Sequence, residues 1–355
     1  MSKGLSAVCL KPVLFIAAIA SLSGCKTDPL YQCDTRYNTD TIPLLSRIAF
    51  GSCADQTLDQ SILNKVVDKH PQLFIYLGDN IYGDTYNMRE LESEYGQLSC
   101  KAEFQRLISS CRVVATWDDH DFGHNDSGID YPYKEASKNI FMRFWGETQN
   151  TERQSHPGIY TSYSFGDSAH LVQVILLDLR TFRTPLIEKD YGYIPNTDSN
   201  AALLGEAQWQ WLQTQLSKPA KLRIIGSSSR FATEADGGEC WENFPVETQR
   251  MFQLIRNTQV NGVIFISGDI HFAEICKRIE PALYPIYDFT ASPLARHANE
   301  AWDNAYQIAA APVGYNFGSI EIDWSQPDPL INMRSYNVQG NMQFEHSFHL
   351  SEIYF

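Results

Sequence analysis

Four short apolar runs in this chain each end abruptly in residues that can hold a metal ion, and this recurrence constrains the fold more than any other feature. Leu73-Phe-Ile-Tyr-Leu77 runs straight into Gly78-Asp-Asn-Ile-Tyr82. Arg47-Ile-Ala-Phe-Gly-Ser-Cys53 ends in a thiol, and Val113-Val-Ala-Thr-Trp-Asp-Asp-His-Asp121 ends in a carboxylate cluster with a histidine. Val263-Ile-Phe-Ile-Ser-Gly-Asp-Ile-His271 ends in Gly-Asp-x-His. Short unbroken apolar runs are the pattern of parallel strands buried on both faces. Ligands of open α/β sheets sit beyond the carboxyl ends of such strands, and a glycine there lets the backbone turn. The expectation is Cys, Asp, Tyr and His at the same edge of one predicted sheet, a donor set for more than one metal ion. A single aspartate after a strand would as readily cap the next helix; the repetition favours the metal.

The 355 residues are 43% hydrophobic, enough for a sizeable core in one large domain, with or without an appendage. The formal net charge is −14, and no basic run is long enough to track a phosphate backbone, so no nucleic-acid partner is expected. Lys3 and Lys11 give a short basic region ahead of Val13-Leu-Phe-Ile-Ala-Ala-Ile-Ala20, an apolar stretch too short to span a bilayer as a mature helix. Leu22-Ser-Gly-Cys25 follows and resembles a bacterial lipoprotein signal, cut before a cysteine whose thiol is lipidated. An ordinary secretory signal with an incidental cysteine is the alternative. The lipoprotein reading makes residues 1–24 a signal peptide, Cys25 a lipid anchor and 25–46 a tether to a domain spanning 47–355. Lys26 after the cysteine suggests the outer membrane, with the domain facing the periplasm or the cell surface.

Export permits disulfides. With Cys53 assigned to metal, Cys100 with Cys111 is a plausible pair, and Cys240 with Cys276 a weaker one. Strands are expected at Ile48–Ser52, Leu73–Leu77 and Val113–Thr116, with helices over Thr57–Lys69 and Tyr86–Ser110 between them. Residues 122–158 read as a connection with a helical piece at Lys134–Phe144. The pattern then predicts strands at Gly158–Phe165 and Ala169–Leu177, and a loop over 184–200. A helix at Gly205–Leu216, a strand at Lys221–Gly226, a helix at Pro245–Asn257 and a strand at Val263–Ser267 follow. After Pro281 only strands are expected, at Leu283–Thr290, Asn316–Trp324, Leu330–Val338 and Met342–Leu350. Gly340-Asn341 marks a hairpin turn. Alternating βα units followed by strands suggest two packed sheets with helices outside.

The set Phe50-Gly-Ser-Cys53, Leu77-Gly-Asp-Asn-Ile-Tyr82, Trp117-Asp-Asp-His-Asp121, Leu177-Asp-Leu-Arg180, Leu204-Gly-Glu-Ala-Gln-Trp-Gln-Trp-Leu212 and Ser267-Gly-Asp-Ile-His271 resembles the alkaline phosphatase D (PhoD-like) family. That family belongs to the calcineurin-like metallophosphatase superfamily. The resemblance runs from about residue 47 to the end and includes Tyr287-Asp-Phe-Thr-Ala-Ser-Pro-Leu294 and Tyr315-Asn-Phe-Gly318. It implies an α/β fold, a four-layer αββα metallophosphoesterase-like sandwich of two mixed β-sheets flanked by helices. It also implies a binuclear or larger centre of ferric iron and calcium. By motif, Cys53, Asp79 and Tyr82 would bind the iron, with Asp79 bridging to a second metal. Asp119 stands where the superfamily usually has an asparagine, and Asp269 where it has a metal-binding histidine; carboxylates there favour calcium over zinc. His271 is the remaining ligand candidate, and His120 matches the catalytic histidine. Thiolate and phenolate donors suit a trivalent ion on chemical grounds alone.

Asn125, Arg180 and Arg296 are the candidate phosphate contacts, with His124 a further one. Asp118, Asp121 and Asp178 are expected to orient neighbouring side chains. The implied reaction is phosphate ester hydrolysis by a metal-bound hydroxide, on diesters at least as readily as monoesters, with His120 protonating the departing oxygen. A phospholipase or nucleotide-cleaving hydrolase on the same scaffold, and a non-catalytic metal-binding surface lipoprotein, are the alternatives.

Overall fold

The strand runs bury themselves by alternation. In Leu73–Leu77 (β2), Leu73, Ile75 and Leu77 pack into the core between two sheets, while Phe74 and Tyr76 pack under helices on the outer side. A strand buried on both faces has no room for polar side chains, which is why its chemistry begins only at its end. The computed structural model describes Met1 and residues 33–147, 151–190, 192–296, 301–302 and 304–355. The chain divides into Met1–Leu30 and Tyr31–Phe355, and every element below lies in the second unit. The expected signal peptide and the lipidation site Cys25 lie outside the described residues.

Sheet A begins with three parallel strands, β1 (Arg47–Gly51), β2 and β3 (Arg112–Thr116). Helices α1 (Ile62–Asp68), α2 (Met88–Ser99) and α3 (Ala102–Ser110) connect them. The short α4 (Asp119–Phe122) and α5 (Lys134–Phe144) lead out of β3. The second sheet uses β4 (Thr161–Phe165) and β5 (Val172–Leu176), and a small hairpin of β6 (Ile187–Lys189) and β7 (Gly192–Ile194) stands apart. Then come α6 (Gly205–Leu216), β8 (Leu222–Gly226), α7 (Pro245–Thr258) and β9 (Val263–Ser267). Strands β10 (Ala273–Arg278), β11 (Ile286–Ala291) and β12 (Gln307–Ala310) finish the second sheet. The antiparallel meander β13 (Asn316–Asp323), β14 (Leu330–Asn337) and β15 (Met342–His349) returns to the first. The orders are β15-β14-β13-β1-β2-β3 and β12-β10-β11-β9-β8-β5-β4. Helices α1 and α3 cover one outer face, and Trp209, Leu212 and Leu216 of α6 with Met251, Phe252 and Ile255 of α7 cover the other. This is the four-layer αββα architecture with two mixed sheets.

One expectation fails in an informative way. The four ligand-bearing strands do not share one sheet: β1, β2 and β3 lie in sheet A, and β9 lies in the other. The connection after β3 carries the chain across the core, so β4 starts a second sheet whose parallel strands also point their carboxyl ends at the site. Register keeps the ends level, with Gly51 beside Tyr76, Leu77 beside Thr116 and Gly226 beside Ile266.

Other differences have local causes. The helix expected over Thr57–Lys69 starts only at Ile62. Asp55 and Asp59 accept from the backbone N–H of Thr57 and Ser61 at 2.9 and 3.0 Å, which holds these residues in turns. The helix expected over Tyr86–Ser110 breaks between α2 and α3 at Cys100-Lys101. There Cys100 is bonded to Cys33, not to Cys111. Cys111 is buried and free, at the foot of β3. Cys240 and Cys276 are also free; Asn304 Nδ2 donates to the Cys276 sulfur at 3.1 Å. The described part of the expected tether is fastened down. Besides the disulfide, the Asn38 N–H donates to Ile108 O at 2.7 Å, the Tyr37 hydroxyl to Phe144 O at 2.7 Å, and Leu45 is fully buried. The loop expected over 184–200 contains β6 and β7. Strands β10 and β12 escaped notice because Ala273-Glu-Ile-Cys-Lys-Arg278 and Gln307-Ile-Ala-Ala310 are too short or too charged to read as strands.

Candidate metal centre

The backbone leaves three of the four ligand strands, β1, β2 and β9, by a left-handed turn, whereas β3 passes through extended Asp118 into α4. Cys53, Asp79, Asp269 and His271 have φ of 54°, 48°, 68° and 64°, the left-handed region that non-glycine residues avoid. Such residues cost of order 1–3 kcal/mol each, and they persist where surrounding structure over-determines them. Gly78 has φ +102°, and a Cβ there would lie 2.5 Å from the Asp118 Cβ and 2.8 Å from the Asp118 nitrogen. Only glycine lets the β2 and β3 knuckles approach this closely. Asp121 clamps them: it accepts from Asn80 Nδ2 at 2.5 Å, from the Asp118 N–H at 2.7 Å and from the Tyr95 hydroxyl at 3.2 Å.

These turns bring the expected donors together. Cys53 Sγ lies 3.4 Å from Asp79 Oδ2, and the Tyr82 hydroxyl lies 3.3 Å from the same oxygen and 3.3 Å from His271 Nε2. Cys53, Asp79 and His271 form one compact donor group; Asp79, Asp119 and His120 form a second; Asp79, Asp118 and Asp269 form a third. Asp79 is common to all three. A fourth group, Asp119, Asp126 and Glu239, adjoins them. His120 is mostly buried. Its ring lies 4.1 Å from that of Tyr82, and its Nδ1 is 2.8 Å from both oxygens of Asp84.

The electrostatics call for cations. Burial pushes the Cys53 thiol up to about 12, with Asp269 adding to the rise against the hydroxyls of Ser292 and Ser52. Burial and then the neighbouring thiol raise Asp79 and Tyr82 well above their ordinary ranges. Burial, with Asp118 and Glu239 nearby, does the same to Asp269. For Asp118, burial outweighs Arg180 and lifts the carboxyl to about 6. Burial works against ionising Asp119 as well, yet Arg180 and His120 hold it below the usual carboxylate range. Burial works against charge on His120, but Asp79, Asp84 and Asp119 raise it to about 10. Asp79 Oδ1 and Asp118 Oδ2 are buried without a hydrogen-bond donor, and Asp119 Oδ1 is faced by the Arg180 guanidinium at 3.5 Å. Stranded carboxylate oxygens beside a thiol and a phenol fit bound metal ions, whose charge would bring Cys53, Asp79, Tyr82 and Asp269 back down.

The other expected residues separate into buried and exposed. Arg180 is fully buried. Its Nε donates to Asp118 Oδ1 at 2.5 Å, and its two terminal nitrogens bind Glu239 at 3.0 and 2.7 Å. The guanidinium expected at the phosphate is thus spent on positioning acids. Arg183 joins it on Glu239 at 2.8 Å. Arg296 is exposed at the rim, its guanidinium 4.4 Å over the Tyr82 ring and 3.4 Å from Asp55. Asn125 is exposed beside His120: its N–H donates to Asp84 at 2.9 Å and its Nδ2 to Asp126 at 2.6 Å. Asp178 accepts from Trp117 Nε1 at 3.0 Å, away from the donor groups.

Sequence reasoning missed Asp84, Asp126, Glu239 and Ser292, whose hydroxyl lies 3.0 Å from the Cys53 sulfur. Glu239 sits in Gly-Gly-Glu-Cys, far from any strand end, and carries no local signal. Asp84 did have one, two residues beyond Tyr82 in Tyr-Gly-Asp.

Fold and site together define the class: a two-sheet α/β protein with buried thiol, carboxylate and imidazole donors between the sheet ends, the arrangement of the calcineurin-like metallophosphoesterases. The model of the PhoD-like phosphatase family matches residues 48–316, and the chain belongs to that family. Alkaline phosphatase D of Bacillus subtilis strain 168 is 23% identical over 267 residues, covering 63% of this chain and 45% of that protein. The chain therefore spans less than half the length of this curated relative. A solved structure of PhoD superposes with TM-score 0.65 at 18% identity, over 87% of this chain and 72% of that one. GAP50, the anchor in the inner membrane complex of Plasmodium, superposes with TM-score 0.56 at 12% identity, over 86% and 89%.

Proposed function

We propose that this protein is a metal-dependent phosphoric ester hydrolase, acting on diesters at least as readily as on monoesters. The observation that carries the reading is the contact of Cys53, Tyr82 and His271 around Asp79, with Asp79 Oδ1 and Asp118 Oδ2 buried without a hydrogen-bond donor, in a PhoD-like chain. Cys53, Asp79, Tyr82 and His271 would hold a ferric ion, and Asp79, Asp119 and Asp269 calcium. Bound there, the ions would supply Lewis-acid polarisation of the phosphoryl group and activation of water. Asp84 holds His120 by Nδ1, leaving Nε2 to give a proton to the departing ester oxygen. Arg296 is an exposed cation at the rim, against Tyr82 and Asp55, and can meet a phosphate oxygen. Arg180 and Arg183 keep Asp118 and Glu239 in place.

GAP50 shows that a related fold can belong to a protein described as an anchor. A non-catalytic role would not require the intact donor set seen here, so hydrolysis is preferred. The envelope location proposed from Leu22-Ser-Gly-Cys25 fits an acidic, disulfide-bearing domain. The test is to purify the protein without chelator and assay a chromogenic diester and its monoester side by side, with and without calcium, measuring iron on the same sample. Calcium-dependent turnover with about one iron per chain supports the proposal. Full activity and metal content in Asp79→Ala would refute the site. Absence of both iron and turnover after reconstitution would favour the binding role.

A further inference from the structure

The rim of the site carries aromatic surface that the chemistry above leaves unused. Residues 83–85 run beside 120–123: the Gly83 N–H donates to His120 O at 3.1 Å, and the Thr85 N–H to Gly123 O at 2.7 Å. The next residue on each side is Tyr86 or His124. Their rings stack with centroids 5.6 Å apart and planes 27° apart. Tyr86 also lies 5.5 Å from Tyr131 and 6.4 Å from Tyr133. Tyr131 is the floor. It is 2% exposed, its hydroxyl donates to Thr85 O at 2.6 Å, and Gly123 packs so closely on its ring that no Cβ would fit. Above that floor Tyr86 is 56% exposed and Tyr133 45%.

Tyr86 and Tyr133, left open side by side over Tyr131, form a contiguous aromatic surface rather than scattered exposure. The Tyr86 ring is also already ordered by its neighbours, so a stacking partner would pay little of the usual cost of immobilising a side chain. The patch is continuous with the reacting centre. Asp84, two residues before Tyr86, accepts from both His120 Nδ1 at 2.8 Å and the Asn125 N–H at 2.9 Å. The group departing with the oxygen that His120 protonates would leave past these residues.

Resting on the hydrolase reading above, we propose that Tyr86, His124 and Tyr133 form a leaving-group subsite, and that the preferred departing group carries a planar aromatic ring. Stacking uses the faces of such rings whatever their substituents. A polyol or short alkyl group would gain little there. A simple aryl group and a nucleobase share this chemistry and differ in the distance from ring to phosphorus.

The experiment compares phenyl phosphate, adenosine 5′-phosphate and glycerol 3-phosphate, each also as its methyl diester, by alcohol release from the metal-loaded wild type, Tyr86→Ala and Tyr86→Phe. Dividing each variant by wild type for the same ester cancels leaving-group reactivity. We expect Tyr86→Ala to raise KM about tenfold for an aromatic ester, equivalent to roughly 1.4 kcal/mol, and to change the glycerol esters less than twofold. Tyr86→Phe should match wild type. Loss confined to the phenyl esters assigns a short subsite, and loss confined to the adenosine esters a longer one; both support the proposal. Calorimetric binding of phenylphosphonate should weaken in parallel in the first case. Equal losses on all esters, or none on any, would overturn it. Wild-type protein that binds its metals but cleaves no ester refutes the hydrolase reading and this inference with it, whereas turnover insensitive to Tyr86 refutes the inference alone.

Discussion

Gly78→Ala tests whether the close approach of two strand-end turns, rather than the presence of the ligands alone, makes the site. An added methyl would sit 2.5 Å from the Asp118 Cβ, 2.8 Å from the Asp118 nitrogen and 3.0 Å from the Trp117 carbonyl carbon. None of these atoms belongs to the free end of a flexible side chain, so relief requires the β2 and β3 turns to part by about an ångström. The positive φ at residue 78 adds roughly 1 kcal/mol for a non-glycine residue, and overpacking typically adds about 1–3 kcal/mol. The expected loss of stability is therefore about 2–4 kcal/mol, read from chemical denaturation. Parting the turns also moves Asp79 from Asp118, and misplacement of this size can cost on the order of 100-fold in rate. The control is Ile108→Ala, a buried residue on the inner face of α3 in the outer core, whose loss costs about 2–5 kcal/mol through a cavity. Both variants should be assayed well below their unfolding midpoints. Gly78→Ala should lose metal and turnover where Ile108→Ala keeps both. Equal metal content and equal activity in the two variants would refute the argument that the glycine is there for the site.

Three further outcomes follow from the same geometry. Cys33 and Cys100 close a span of 67 residues; replacing both with serine should cost roughly 4 kcal/mol by loop entropy and lower the midpoint of thermal unfolding by about 6 °C, while Cys111→Ser should not mimic it. Asp84→Asn should lower kcat by roughly 100-fold or more through misorientation of His120, with metal content unchanged; loss of metal instead would mean that Asp84 supports the donors rather than the histidine. Cys25→Ser should release the protein from detergent-extractable membranes into a soluble fraction, and unchanged partitioning would refute the proposed anchor.

Which elements could be read in advance follows from how local their causes are. β2, β9 and α6 announce themselves, because an unbroken apolar run or a tryptophan-leucine stripe has few other ways to be buried. The start of α1 does not, because two aspartate side chains compete for its backbone. The pairing of Cys100 was misread for a related reason: Cys33 sits in a segment with no periodicity, and only its docking against α3 and α5 brings the two sulfurs together. At the site, Cys53, Asp79, Asp119 and Asp269 were visible because each follows a strand run directly. Glu239 was invisible because nothing in its own neighbourhood points to Arg180 and Arg183.

The sequence by itself determined that thiol, phenol, carboxylate and imidazole groups would stand at the carboxyl ends of buried parallel strands, since the alternation of buried faces leaves polar chemistry no other place on those segments. Tertiary structure decided that these ends belong to two sheets, that Asp79 is the donor shared by three groups, and that Arg180 is buried against Asp118 and Glu239. The physical reason is range. Strand burial is dictated by neighbours one or two residues away, whereas the charge balance of the site is a sum over residues from 53 to 271 that meet only when the two sheets pack face to face.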